Sequence, residues 1–254
     1  MKITFLGTGT SQGIPIIGSD DPVSKSKNPK DKRLRVSVMI EWDSNCYIID
    51  CGPDFRQQML AHDVKKIDGI LFTHEHADHI MGLDDIRPFF FRQGDIPIYA
   101  HPRVLKSLKI KFDYIFTTED RYPGAPAVRE NIIENNKPIR LENLNVIPIN
   151  AFHNRLQVFG FRFDKFAYLT DVKSIDTEEI EKLKGVEVLV VNALRKEKHH
   201  SHFNLEEALE FIAQVAPKKA YLTHISPMLG FHEEAQAELP PNVYIAYDNL
   251  IIEL

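Results

Sequence analysis

Four potential metal ligands lie close together directly after an apolar segment. Residues 68–73 read DGILFT and predict a short buried strand, and His74, His76, Asp78 and His79 follow it as H-x-H-x-D-H. Imidazole nitrogens and carboxylate oxygens are the usual ligands of zinc, and they also suit iron and manganese. Because a strand holds the turn after it rigidly, this spacing favours a metal site over a histidine-rich surface loop.

Three further donors lie at or just after the ends of other predicted strands. His153 follows the strand at 144–149, Asp171 follows 166–170, and His224 follows 218–223. In α/β folds the ends of strands are where binding sites collect. Any one of these residues alone would be explained by packing or by solvent. Together with the H-x-H-x-D-H motif they predict one shared metal centre.

The remaining pattern is rich in strands, with helices interspersed. Two segments lack periodicity: residues 18–33 have the composition of a solvated loop, and residues 109–143 predict a lid or a specificity loop. The excess of strands argues against a simple alternation of strand and helix, so we expect an α/β fold of two packed sheets with outer helices. The predicted strands are 3–6, 34–41, 46–50, 68–73, 96–100, 144–149, 157–163, 166–170, 186–191, 218–223 and 243–253, and the predicted helices are 53–62, 102–108, 177–184, 204–215 and 231–238.

Composition excludes several classes of protein. The chain has 254 residues with 36 acidic and 31 basic side chains, a net charge of −5, which disfavours non-specific nucleic-acid binding. Cys46 and Cys51 would point to opposite faces of one strand, so we expect no disulfide between them. No apolar run reaches the roughly 20 residues of a membrane helix, and the first residues do not read as a signal peptide. We therefore expect a single cytoplasmic domain over residues 1–254, without a membrane partner.

The order of these motifs resembles the metallo-β-lactamase superfamily. H-x-H-x-D-H followed by a lone His, a lone Asp and a last His is typical of that superfamily. The segments FLGTGTSQG at 5–13, DCGPDFR at 50–56 and GLDDIRPF at 82–89 are similar to one of its branches. That branch includes the phosphoribosyl cyclic phosphate phosphodiesterase of phosphonate breakdown, and it neighbours the tRNA 3′-processing nucleases.

The resemblance implies an αββα sandwich of two mixed β-sheets with outer helices, holding two divalent transition-metal ions. Zinc is the expected ion, with manganese and iron as alternatives. Asp171 would bridge the two ions. The remaining ligands implied by motif position are His74, His76 and His153 for one ion, and Asp78, His79 and His224 for the other.

Four further residues receive roles or alternatives. Asp50 matches an acidic residue of the family, and we expect it to orient a ligand histidine, with turn capping as the alternative. His202 ends the run H-x-S-H, which in this branch implies contact with the substrate phosphate and a role as general acid, and His199 could assist it. Asp248 lies between two predicted terminal strands, where contact with the site and a hairpin turn are equally open.

One departure from the family concerns a structural zinc. Close relatives carry Cys-x-Cys-x-x-Cys after the first glycine turn, completed by a distant histidine. Here the corresponding residues are Ser19, Asp21, Ser24 and Pro227. We therefore expect no structural zinc, and a loop at 18–33 that is either packed or mobile.

These features predict a metal-dependent phosphodiesterase that cleaves a small phosphodiester, cyclic or linear, by attack of a metal-bridging hydroxide. The alternatives are an RNA-processing nuclease, a lactone or thioester hydrolase, and a non-catalytic binding protein that kept the fold. The basic cluster at 25–35 would favour the nuclease, whereas the acidic balance disfavours it. The aromatic run at 89–91 is a candidate substrate or homodimer surface, or part of the core.

Overall fold

Two seven-stranded sheets form the molecule, as seen in a computed structural model that describes residues 1–254. The first sheet has the order β14-β1-β2-β3-β4-β5-β6 and the second has the order β13-β12-β11-β10-β9-β8-β7. The strands are β1 Lys2–Gly7, β2 Ser37–Trp42, β3 Asn45–Ile49, β4 Gly69–Leu71, β5 Ile96–Ala100, β6 Val128–Ile132, β7 Ile139–Leu141, β8 Leu144–His153, β9 Leu156–Phe163, β10 Phe166–Tyr168, β11 Val188–Asn192, β12 Lys219–Thr223, β13 Val243–Ile245 and β14 Ile251–Glu253.

Helices cover the outer faces of both sheets. Short 3₁₀ helices lie at Pro29–Asp31, Leu83–Ile86 and Pro227–Leu229. The α-helices are α1 Phe55–Ala61, α2 Ala77–Ile80, α3 Arg87–Gln93, α4 Pro102–Lys111, α5 Asp113–Phe116, α6 Thr177–Glu181, α7 Leu205–Val215 and α8 His232–Ala237. No helix is long and apolar enough to cross a membrane.

Three apolar clusters hold the layers together. One lies between the sheets and includes Phe5, Ile49 and Tyr168. A second packs the outer face of the first sheet against helices around Phe89, and a third packs the outer face of the second sheet against helices around Phe211. Burial at these three interfaces gives the four layers of the predicted αββα sandwich of two mixed sheets. The extent of the domain, residues 1–254, stays a prediction.

Both sheets repeat one pattern of strand pairing, although the sequence shows no repeat. In the first sheet the pairs from β14 to β3 are antiparallel and the pairs from β3 to β6 are parallel. In the second sheet the pairs from β7 to β10 are antiparallel and the pairs from β10 to β13 are parallel. Consequently β1, β3 and β4 end at one edge of the first sheet, and β8, β10 and β12 end at one edge of the second.

The expectation that residues 109–143 form an irregular segment is wrong. Residues 109–143 contain the end of α4, all of α5 and two strands, and β6 pairs with β5 over five residues as the edge of the first sheet. Tyr114 Oη donates to Asp84 Oδ1 at 2.9 Å, which fixes this segment to the outer helices. The lid is therefore not supported. The sequence does not predict β6 and β7, because these edge strands are short and half-exposed.

The loop at 18–33 is held by internal hydrogen bonds and is not simply solvated. Asp21 Oδ2 accepts from Ser19 Oγ at 2.8 Å, and Asp21 Oδ1 accepts from the Ser24 backbone N–H at 2.8 Å. Ser24 Oγ in turn accepts from the Ile16 backbone N–H at 3.1 Å. A carboxylate acceptor thus organises the positions where relatives carry thiolates.

Candidate metal centre

The sheet topology brings the predicted ligands to one place between the two sheets. Each follows or ends a strand whose carboxyl end lies at the edge described above. Asp50 follows β3, His74 lies three residues after β4, and His153 is the last residue of β8. Asp171 lies three residues after β10, and His224 follows β12 directly.

Backbone strain marks three of these strand ends. Asp50, Asp171 and His224 have φ values of 63°, 59° and 55°, in the left-handed region that residues with a side chain seldom adopt. Such conformations persist where the surrounding structure fixes them, and they cluster at functional sites. All three are buried, so the strain turns each side chain into the interior of the site rather than toward solvent.

The second half of the motif lies on a short helix. His76 precedes α2, and Asp78 and His79 lie on it. Two glycines allow α2 to approach the turn after β3: a Cβ on Gly52 would lie 2.0 Å from the Asp78 carbonyl oxygen, and one on Gly82 would lie 2.1 Å from the Gly52 carbonyl oxygen. These glycines are required because backbone contacts backbone here.

Asp171 lies at the centre of the site. Its Oδ1 is 3.0 Å from His202 Nε2 and 3.3 Å from His224 Nε2, and its Oδ2 is 3.3 Å from His79 Nε2. Asp78 Oδ2 lies 3.2 Å from His79 Nε2 and 3.7 Å from His224 Nε2. A carboxylate with imidazole nitrogens on both oxygens has the arrangement expected of a shared ligand.

The other predicted ligands form the neighbouring part of the site. The ring of His74 lies 4.5 Å from that of His76 and 5.9 Å from that of His153, and the rings of His76 and His153 are 5.1 Å apart, all between centroids. His74 and His153 are buried, whereas His76 is exposed. This half of the site therefore opens to solvent, which a substrate needs.

Hydrogen bonds at Nδ1 orient three of the imidazoles in the same way. His79 Nδ1 donates to Asp50 Oδ2 at 2.6 Å, and His153 Nδ1 donates to the Ser201 carbonyl oxygen at 2.6 Å. Thr73 Oγ1 donates to Asp50 Oδ2 at 2.7 Å, so it accepts from His74 Nδ1 at 3.0 Å. With Nδ1 engaged, Nε2 of each ring is the atom left for a metal ion.

The ring nitrogens that lack a hydrogen-bond partner fit a divalent cation. His74 Nε2, His79 Nε2 and both ring nitrogens of His224 are buried and lack a hydrogen-bond partner. Unpartnered buried polar atoms are costly, and several nitrogens converging on carboxylates form a typical metal-binding donor set. The triads His74–His79–Asp171, Asp78–His79–His224 and His153–Asp171–His202 each keep their donor atoms within 4.8 Å of one another. This donor set therefore fits a divalent metal ion.

The electrostatics of the donor set agree with this interpretation. Burial opposes ionisation of Asp171, but the imidazoles of His224 and His79 hold the pKa of Asp171 well below its usual value. Burial likewise opposes protonation of His79, but Asp78, Asp171 and Asp50 raise its pKa well above the usual value. These carboxylates therefore supply the negative charge that favours a cation beside His79 Nε2.

Asp50 is placed where orienting a ligand requires it. It is fully buried and accepts from Thr73 and His79, so it fixes two elements of the motif at once. We expect Asp50→Asn to weaken metal binding about 10- to 100-fold, because the amide cannot keep His79 in the same tautomer. Titration with a chelator-buffered metal series measures this. The matched control is Asp43→Asn, at an exposed turn with a similar φ of 51°; an unchanged affinity in Asp50→Asn would contradict the role.

His202 and His199 lie beside the metal ligands. His202 Nε2 contacts Asp171, and His202 Nδ1 lies 3.1 Å from Ser201 Oγ and 3.2 Å from His199 Nδ1. His202 is buried and His199 is half-buried, so the pair leads from the centre toward solvent. Burial lowers the pKa of His202, and the contact with Asp171 partly offsets this.

Asp248 is not in a hairpin turn. The strands on either side of it, β13 and β14, belong to different sheets. Its carboxylate accepts from Thr8 Oγ1 at 2.7 Å and from the Leu34 backbone N–H at 2.6 Å. The hairpin turn is therefore wrong, because the chain crosses between the sheets at this point, and contact with the site stays a prediction.

A buried charge cluster surrounds Asp248. Arg33 Nη1 donates to Thr8 Oγ1 at 2.7 Å and to the Ala246 carbonyl oxygen at 2.5 Å, and Arg33 Nη2 lies 3.2 Å from His232 Nδ1. Burial lowers the pKa of Arg33 to about 10, and burial raises the pKa of Asp248 to about 6. The cluster ties the end of the 18–33 loop to the C-terminal segment.

The sequence analysis did not identify three residues that hold the proposed ligands in place. Thr73 bonds Asp50, Thr170 Oγ1 donates to Asp171 Oδ2 at 2.7 Å, and the Ser201 carbonyl holds His153. A signal was available for two of them, because a threonine directly precedes His74, Asp171 and also His224. Ser201 acts through its backbone, so its residue type carries no signal.

Comparison with known proteins assigns the family. A family model described as the beta-lactamase superfamily domain matches residues 45–225. The chain belongs to this family. A solved diphosphatase of the PhnP family aligns over 100% of this chain and 97% of its own, with 38% identity and a TM-score of 0.93. Zinc-bound PqqB from Methylobacterium extorquens shares the fold at 17% identity, with a TM-score of 0.84 and 100% of both chains covered.

The curated relatives that this chain resembles carry names of different activities. An octanoyltransferase of Porphyromonas gingivalis is 38% identical over 252 residues, which are 98% of this chain and 51% of that protein. A ribonuclease Z of Methanococcus maripaludis is 27% identical over 200 residues, 74% of this chain and 55% of that protein. The chain thus spans about half the length of these curated relatives.

Proposed function

We propose that this β-lactamase superfamily member is a metal-dependent phosphodiesterase acting on a small, cyclic or linear, phosphodiester. The observation that carries the proposal is the convergence of buried imidazoles on Asp171 with their Nε2 atoms unpartnered. The 38% identity to a PhnP-family diphosphatase over the whole chain supports phosphoryl chemistry. Two ions are proposed, because the donors outnumber those that one tetrahedral ion takes, and zinc suits them best.

The proposed ligands would be divided between the two ions in the way that the order of the motifs implies. His74, His76 and His153 would hold one ion, Asp78, His79 and His224 the other, and Asp171 would contact both. When bound, such a pair supplies Lewis acidity and a water-derived nucleophile near neutral pH. The protein contributes the orientation: Asp50 and Thr73 hold the imidazoles of His79 and His74 before substrate arrives.

His202 is proposed to contact the substrate phosphate and to give a proton to the leaving oxygen. Its Nε2 faces the centre at 3.0 Å from Asp171, and its Nδ1 lies 3.2 Å from His199 Nδ1. Ser201 Oγ lies near both rings, so a proton lost from His202 can be replaced through the half-buried His199. This placement is what a general acid requires.

Replacing His202 by Ala is expected to lower phosphodiester turnover about 100- to 10,000-fold while the metal content persists. Steady-state kinetics with elemental analysis of the same sample measures both. His200→Ala is the matched control, because His200 is exposed and its imidazole forms no hydrogen bond. Loss of metal together with activity would instead identify His202 as a ligand.

The structure weakens the case for an RNA-processing nuclease, even though ribonuclease Z relatives match. Most of the basic side chains at 25–35 are already engaged, so they offer little charge to a phosphate backbone. The engaged pairs are Lys25 with Asp20, Lys30 with Glu233, Arg35 with Asp54, and Lys32 with the Ser24 carbonyl, and Arg33 is buried.

Hydrolysis of an acyl ester or thioester is the second candidate. The observation that favours it is the octanoyltransferase name of a relative that is 38% identical over 252 residues, although the other half of that relative has no counterpart here. A substrate panel separates the candidates: a five-membered cyclic phosphate, a bis-aryl phosphodiester, a precursor tRNA, a lactone and an octanoyl thioester. Turnover confined to the last three would contradict the phosphodiesterase.

The remaining expectations stay proposals. A small-molecule phosphodiester is the proposed partner, and a cytoplasmic location and a homodimer are unchanged from the sequence analysis. Within the aromatic run, Phe89 is buried and Phe91 is 61% exposed, so the run is part core and part surface.

A further inference from the structure

An arginine on α4 connects the two sheets beside the half of the metal centre that opens to solvent. Arg103 Nε lies 2.8 Å from Glu75 Oε1. Glu75 stands between the proposed ligands His74 and His76 in the sequence. Arg103 Nη2 donates to the Gln157 carbonyl oxygen at 2.5 Å. One guanidinium therefore joins the turn after β4, in the first sheet, to β9 in the second sheet.

The Gln157 carbonyl oxygen lies close to a proposed ligand from the second sheet. β8 and β9 pair as antiparallel neighbours, and Gln157 is one position away from the residue opposite His153. His153 is the last residue of β8, so the contact from Arg103 falls beside the turn of the hairpin that carries this ligand. Arg103 thereby contacts the segments that supply all three proposed ligands of one ion.

Of these three ligands, His76 is the one whose side chain no hydrogen bond orients. The rings of His74 and His153 are each held by a hydrogen bond at Nδ1. The imidazole of His76 is exposed and forms no hydrogen bond within the chain, so its position depends on the backbone beside it. The side chain of Glu75, directly before it, is 19% exposed, so its ion pair is partly protected from screening by salt.

A second connection between the sheets lies on the other side of His74. The Phe159 backbone N–H donates to the Thr73 carbonyl oxygen at 3.0 Å. Because His74 follows Thr73 directly, this hydrogen bond places His74 independently of Arg103. Loss of the arginine should therefore leave His74 in place and release His76.

The position of Arg103 is unfavourable for α4 itself. The helix begins at Pro102, so the guanidinium belongs to the first turn, where the helix macrodipole favours negative charge. That turn carries no acidic residue. The carboxylate of Glu75 supplies the missing negative charge, so the contact between the sheets explains a cation that α4 alone does not.

We propose that Arg103 is a positioning residue of the metal centre, which through its two contacts sets the distance between His76 and His153. This inference rests on the proposed function and its division of the ligands between two ions. The other ion would depend on α2, which is held separately: the Cys51 backbone N–H donates to the His79 carbonyl oxygen at 2.7 Å. Its affinity should therefore not depend on Arg103.

The test is a chelator-buffered titration of the protein with Zn²⁺, which measures the two binding steps separately. In Arg103→Gln one step should weaken about 10- to 100-fold, as expected when a contact that orients a ligand is lost, and the other should change less than about twofold. Lys106→Gln is the matched control, because Lys106 is an exposed cation on the same helix without an ion pair. It should change neither step, whereas a general loss of stability would weaken both.

Glu75→Gln shows whether the two side chains act as one unit. If they do, Arg103→Gln and Glu75→Gln combined should weaken the same step no further than Arg103→Gln alone. The proposal is overturned by equal weakening of both steps, by no weakening of either, or by losses that multiply in the double variant.

If the wild-type protein does not take up two ions, the proposed function fails in that form, and amide hydrogen exchange without metal tests the positioning by itself. Exchange in residues 74–77 should then be about tenfold faster in Arg103→Gln than in Lys106→Gln, because the segment opens more readily. Equal exchange in the two variants rejects the positioning role.

Discussion

Asp171→Asn is expected to reduce hydrolysis about a thousandfold and to remove at least one of the two proposed ions. The carboxylate lies within 3.3 Å of the Nε2 atoms of His79 and His224, and its donor atoms lie within 4.8 Å of those of His74 and His153, so one substitution withdraws negative charge from both halves of the site. An amide also cannot supply the charge that two cations require. Elemental analysis and steady-state kinetics on one preparation measure both effects.

The control for Asp171→Asn is Asp164→Asn. Asp164 lies in the exposed turn between β9 and β10 and has a φ of 50°, close to the 59° of Asp171. Asparagine tolerates this backbone conformation, so the pair separates loss of charge from backbone strain. Full metal content and turnover in Asp171→Asn would show that Asp171 is not the shared ligand.

Arg33→Ala is expected to lower the free energy of unfolding by about 3–5 kcal/mol, because it removes a buried cation whose charge favours the ionised form of the buried Asp248. The guanidinium is 4% exposed and donates to Thr8 and to the Ala246 carbonyl oxygen. For a chain of this size the loss corresponds to a fall in Tm of about 10 °C. Arg129→Ala, at an exposed position on β6, should change stability by less than about 0.5 kcal/mol.

The ionisation of Asp248 sets how the stability loss in Arg33→Ala depends on pH. Burial already raises its pKa to about 6, above an unfolded value near 3.8, so its ionisation costs stability as pH rises through that window. Without Arg33 the carboxyl pKa rises further, so Arg33→Ala should be least harmful near pH 5 and most harmful near pH 8. His232 acts in the same direction, because removing Arg33 lets its imidazole, with a pKa of about 4, protonate more readily in acid. A pH-independent loss of stability would contradict an electrostatic role.

Local chemistry in the chain was enough to predict the donors. H-x-H-x-D-H after an apolar strand, and the residues His153, Asp171 and His224 at later strand ends, are visible as residue type and spacing. Near-continuous apolar runs likewise identify the central strands, because a strand buried on both faces must present apolar side chains to both layers. The short edge strands β6 and β7 carry no such pattern, since each is half-exposed.

What the sequence determined by itself was the set of candidate donors and the layered class of the fold, because both depend on residue type and short periodicity. Only the tertiary structure decided that β13 and β14 belong to different sheets. It also decided that Asp248 accepts hydrogen bonds from Thr8 and Leu34, and that most of the basic side chains at 25–35 are engaged. Those outcomes join positions far apart, 214 residues in the case of Leu34 and Asp248. No local pattern records which distant partner will satisfy a buried charge; the packing of the two sheets selects it.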